Sequence, residues 1–159
     1  MGDDEEGSHK MTAIKGGCLC GAVRYTARVE PLAVRACWCR VCQYLAAGNA
    51  TINLAFPSDA LTITGELRDY PSTADSGSHM HRRFCPVCGV QMFSEAEERP
   101  NFIFVRAGTL DHPEIAVPTA VIWTASAPSW AQFDPALPHF EKQPPALAAT
   151  KPAQPATGG

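Results

Sequence analysis

Seven cysteines, spaced as Cys18-Leu19-Cys20, Cys37-Trp38-Cys39-Arg40-Val41-Cys42 and Cys85-Pro86-Val87-Cys88-Gly89, are the residues of this chain whose types and spacing promise chemistry. At about 4% of the chain they fall well below the roughly 8 to 10% of a disulfide scaffold, and their odd number forbids a full set of disulfides. Cysteines two or three residues apart pair poorly with each other but can point their sulfurs at one ion, with Zn²⁺ lying about 2.3 Å from each. A structural zinc is closed by four protein ligands, whereas a catalytic zinc keeps three and leaves a position for water or substrate. Cys18, Cys20, Cys85 and Cys88 therefore count as one closed site, and Cys37, Cys39 and Cys42 as one open site, giving two zinc ions per chain, one structural and one labile. Gly21 and Gly89, each following a pair, suit tight turns that bring backbone N–H groups to thiolate sulfurs. Buried free cysteines that merely pack are the plain alternative. A histidine such as His79 or His81 would turn the triplet into a second structural site, although both alternate with Met80 beside Arg82 and Arg83 as a solvated strand face would.

The elements that must carry these residues read as short strands. Residues 22–29 alternate, with Val23, Tyr25, Ala27 and Val29 on one side and Arg24, Thr26 and Arg28 on the other. Further strands are expected over 34–36, 50–56, 61–64, 67–70, 79–84, 90–94 and 102–107, with Gly16 and Gly17 punctuating the start. Pro57-Ser58, Gly65 and Ser76-Gly77 supply turns, and only 41–47 suits a helical turn of any length. The class is mainly β with little helix. After Leu110 a Pro-rich stretch holding Trp123, Trp130, Phe133 and Phe140 reads as extended chain wrapping the core.

Length and composition bound the rest. A chain of 159 residues, 45% hydrophobic and 18% charged, suits one folded domain. Residues 1–10 read as an acidic arm or cloning scar with Met11 as the natural start, 11–142 as the zinc domain, and 143–159 as a flexible Pro/Ala-rich tail. The net charge of -3 arises within the first ten residues, so the remainder is neutral and lacks the basic stripe that nucleic acid needs. The longest apolar runs, such as 116–123 with Pro118 inside, are too short for a membrane span, and the polar start is no secretory leader; a cytoplasmic protein is expected.

The stretches Gly17-Cys18-Leu19-Cys20-Gly21-Ala22-Val23-Arg24-Tyr25, Cys37-Trp38-Cys39-Arg40-Val41-Cys42 and Arg83-Phe84-Cys85-Pro86-Val87-Cys88-Gly89 resemble the glutathione-dependent formaldehyde-activating enzymes, which share a domain with centromere protein V. Gly108-Thr109-Leu110-Asp111, Trp123, Ser126, Ala127 and Trp130 extend the similarity over roughly residues 12 to 142. The resemblance implies a zinc-bearing β-tent of short antiparallel strands and the same division of cysteines into a structural and an active-site zinc. It also implies carbon-sulfur lyase chemistry on a small thiol and an aldehyde or other carbonyl, in reverse the addition of glutathione to formaldehyde. Family members often place His between the first two cysteines of the triplet and a basic residue after the third, where this chain has Trp38 and Gln43. Trp38 is then expected as a pocket wall and Arg40 as the cation for a substrate carboxylate, ahead of Lys15 and Arg82, with glutathione binding weakly or not at all. The rival readings are a zinc-stabilised scaffold of the centromere protein V type, and a redox or metal-reserve role for the triplet.

Overall fold

A computed structural model describes residues 12–147, so the expected acidic arm and residues 148–159 of the expected tail lie outside the described residues. The described residues form eleven strands and one short α-helix, with a few single 3-10 turns between them, in the order β1 (Ile14–Gly17), β2 (Arg24–Ala27), β3 (Ala33–Cys37), α1 (Arg40–Leu45), β4 (Thr51–Pro57), β5 (Leu61–Thr64), β6 (Arg68–Thr73), β7 (His79–Phe84), β8 (Gln91–Ala96), β9 (Arg99–Arg106), β10 (Ala120–Ile122) and β11 (His139–Phe140). Strands β1, β2 and β5 make a small sheet, and the others make an eight-stranded sheet in the order β11-β10-β3-β4-β9-β8-β7-β6. No helix among the described residues is long and apolar enough to cross a membrane.

Period-two alternation assigns each face of the large sheet. Val34, Leu54, Phe56, Phe93, Ile103 and Val105 turn toward the small sheet and pack with Val23, Tyr25 and Ala27 of the first hairpin in the main core. Tyr25 meets Phe93 edge-on at 5.3 Å between ring centroids, an arrangement its quadrupole favours. The alternation in β2 stops at Ala27, and Val29 beyond it is exposed, so this strand is shorter than its sequence pattern. Pro71 lies in β6, the edge of the large sheet, where a missing N–H breaks no ladder.

Two expectations need correction. Gly16 and Gly17 belong to β1 itself and do not precede it. A Cβ on Gly16 would stand 2.3 Å from the Thr109 carbonyl oxygen and from the Tyr25 hydroxyl, so the glycine permits a close crossing of chains. The Pro-rich segment after Leu110 does wrap the core, but it also adds β10 parallel to β3 and β11 parallel to β10. The sheet is thus mixed where the sequence suggested antiparallel strands alone.

Candidate metal centres

The first cysteine group joins two hairpin-like turns. Cys18 and Cys20 lie between β1 and β2, and Cys85 and Cys88 between β7 and β8. Their four sulfurs lie within 4.8 Å of one another, with Cys18 Sγ 3.6 Å from Cys20 Sγ and Cys20 Sγ 3.7 Å from Cys85 Sγ. A tetrahedron with metal–sulfur bonds of about 2.3 Å has edges of about 3.8 Å, so the donor set fits Zn²⁺, whereas a disulfide would need about 2.05 Å. Backbone N–H groups point at the sulfurs, from Val23 to Cys18 at 3.2 Å and from Val87 and Cys88 to Cys85 at 3.4 and 3.5 Å. Gly21 and Gly89 make this possible by taking the left-handed conformation, at φ of 80° and 74°. Burial alone would raise the Cys18 thiol, but the Val23 N–H and the thiols of Cys20, Cys85 and Cys88 bring it down to about 6.

The second group is built on one strand end and one helix. Cys37 ends β3, Cys39 caps α1 by accepting the Cys42 N–H at 3.3 Å, and Cys42 sits in the first turn of α1. All three are buried, and their sulfurs also lie within 4.8 Å of one another. Hydrogen bonds from Cys37 and Cys39 pull the Cys42 thiol down to about 3, helped by Thr51 and the charge of Arg106, while Cys37, as the donor, is driven up. Among the described residues no histidine or carboxylate joins these three. His81 is held by Asp69 and Glu97, at 2.5 and 2.8 Å, and His79 by Glu98, which makes the solvated strand face the correct reading of both.

The triplet opens onto a cavity of about 100 Å³ on the face of the large sheet turned away from the small one. Arg35, Arg82, Arg99 and Arg106 line it. Register explains part of this set, because Arg35 pairs with Asn53, Asn53 pairs with Arg106, and Arg82 pairs with Ser94, all on the cavity side. Arg106 is buried and donates to Asn53 Oδ1, and burial lowers its pKa while the neighbouring cysteines oppose that.

The two substrate residues expected from the sequence are placed elsewhere. Trp38 is only 2% exposed and packs on Trp130 and Phe133, at centroid distances of 6.3 and 6.4 Å. In extended backbone Cys37 and Cys39 face the cavity, so Trp38 between them must face away, with Ala36. Arg40 donates to Gln43 Oε1 at 2.5 Å and lies over the Tyr44 ring, outside the cavity lining. Lys15 is on β1 and also outside it. The cations that line the cavity are Arg35, Arg82, Arg99 and Arg106, and of these the sequence reading singles out only Arg82. The strand alternation from Cys37 back to Arg35 is the signal that points to the first of them.

Gln43, in place of the family's basic residue, is a buried clamp. Its Nε2 donates to the Trp38 carbonyl at 2.8 Å and to the Ser126 carbonyl at 3.0 Å, tying α1 to the segment after β10. Gln43→Ala is expected to cost about 1 to 3 kcal/mol by leaving these carbonyls unpaired. Scanning calorimetry should show the melting temperature fall by about 2 to 4 °C per kcal/mol, with zinc content unchanged.

Comparison with known proteins bears on this arrangement. A search of curated proteins gives no match. One solved structure, a crystal structure of a Rhodobacter sphaeroides protein from structural genomics, is 24% identical over 61% of this chain and 87% of its own, with a TM-score of 0.49. The family model described as glutathione-dependent formaldehyde-activating enzyme matches residues 13–126, a span that takes in all seven cysteines. With most of its length matched, the chain belongs to the glutathione-dependent formaldehyde-activating enzyme family.

Proposed function

We propose that the protein is a zinc-dependent carbon-sulfur lyase that adds a small thiol to an aldehyde or releases it. Cys18, Cys20, Cys85 and Cys88 hold a structural Zn²⁺, and Cys37, Cys39 and Cys42 hold the active-site Zn²⁺. When bound, the active-site zinc supplies positive charge that favours a substrate thiolate over the thiol. The three cysteines form the buried floor on which the reactants meet, and Arg106 beside Cys42 offsets the net charge of -1 that three thiolates leave around a divalent ion. In the forward direction the sulfur–carbon bond forms as the carbonyl double bond opens, and the thiol's proton ends on the new hydroxyl oxygen. Nothing is oxidised or reduced.

The observation that carries this reading is the unequal closure of the two cysteine groups, four ligands in one and three facing a cavity in the other. A scaffold with two structural zincs needs a fourth protein ligand at the triplet, and among the described residues none is present. The test is exchange NMR of ¹³C-formaldehyde with a thiol in the presence of zinc-loaded protein. Acceleration of hydroxymethyl thioether formation and breakdown over the protein-free rate is expected. No acceleration with any small thiol would reject the lyase.

A further inference from the structure

The arginines around the triplet cavity lack the partners that buried cations usually have. Among the described residues none of Arg35, Arg82, Arg99 and Arg106 forms an ion pair. Arg82 donates to Ser72 Oγ and Arg106 to Asn53 Oδ1, both neutral acceptors, and the buried Arg106 Nε has no partner at all. The charges also oppose each other in two pairs, Arg35 with Arg99 and Arg82 with Arg106. Like charges gathered on a low-dielectric wall raise a strong local potential for an anion. Asp75 is the one carboxylate in the lining. Four guanidinium charges stand against this carboxylate and the single net negative charge of three thiolates on Zn²⁺, which leaves two positive charges for a ligand to meet.

Size narrows the ligand further. Pockets for drug-sized molecules run to about 300 to 1,000 Å³. The cavity here is about 100 Å³, room for a few carbons beyond the sulfur. We infer that the thiol partner of this site is a compact mercapto-dicarboxylate, its carboxylates held by the Arg35–Arg99 and Arg82–Arg106 pairs while its sulfur faces Cys37, Cys39 and Cys42. The inference rests on the lyase reading and names its substrate class. Arginine suits the task because its planar fork takes a carboxylate through two parallel N–H donors.

Calorimetry on the zinc-loaded protein with mercaptosuccinate, succinate, glutathione and 2-mercaptoethanol separates the contributions. Mercaptosuccinate is expected to bind at least about tenfold more tightly than 2-mercaptoethanol or glutathione, with the advantage shrinking at high salt. Succinate, lacking the sulfur, is expected to bind more weakly than mercaptosuccinate. Arg35 and Arg99 are only half-buried, so Arg35→Gln and Arg99→Gln should leave folding and zinc content intact. Each is expected to reduce mercaptosuccinate affinity about fivefold or more and to leave 2-mercaptoethanol unchanged. Parity of 2-mercaptoethanol, glutathione or succinate with mercaptosuccinate would overturn the inference, as would indifference of mercaptosuccinate to both substitutions. Arginine-dependent mercaptosuccinate binding without any acceleration of thioether exchange would reject the lyase and leave the recognition standing.

Discussion

Cys85→Ser is expected to abolish cooperative folding, whereas Cys39→Ser is expected to abolish only the reaction. Cys85 is fully buried, and its group ties the turn before β2 to the turn before β8 across 65 residues of sequence. A structural zinc bound by thiolates contributes about 10 to 16 kcal/mol in small zinc domains, comparable to or larger than the roughly 5 to 15 kcal/mol of a typical domain's total stability. Losing one of its four ligands also leaves the buried Cys18 and its neighbours Cys20 and Cys88 crowded together without a full ligand set. Cys39→Ser differs in two ways. The triplet lies along 37–42 on one strand end and the helix that follows, so it closes no long loop. A serine hydroxyl can also accept the Cys42 N–H in the sulfur's place, serine being among the best N-cap residues. Thermal melting and zinc per chain should therefore show no folded transition for Cys85→Ser. For Cys39→Ser they should show a near-normal transition with about one zinc retained. Comparable loss of soluble protein in both variants would mean that both groups are structural.

The cysteine groups were legible because metal ligation imposes short local spacing and a count of ligands, both of which survive in a bare sequence. All eight expected strands are present, since alternation and turn residues act locally. Of the other three, β1 was hidden by Gly16 and Gly17, which read as turn residues, while β10 and β11 were not legible for a different reason. They are three and two residues long, flanked by Pro118 and Pro138, and their extended form comes from pairing with β3 and with each other rather than from their own pattern. The misplacement of Trp38 and Arg40 has one cause. Both stand between the triplet cysteines in sequence, and nearness along the chain is not nearness in space. A strand sends alternate residues to opposite faces, which puts Arg35 in the cavity and Trp38 in the core. Arg99 and Arg106 reach the site only through the β8–β9 and β4–β9 pairings, which local sequence does not encode.

Graded chelation, followed simultaneously by zinc content, circular dichroism and thioether exchange, tests the division of labour between the two cysteine groups most directly. A three-ligand site exchanges its fourth ligand and yields its metal to a competing chelator, while a four-thiolate site coupled to folding holds on until the chain opens. The expected result is that about one zinc equivalent leaves first and takes the exchange activity with it, with the β-sheet signal unchanged, and that the second leaves only with unfolding. A single zinc per chain that departs only on denaturation, or two that depart together with the fold, would contradict the open site.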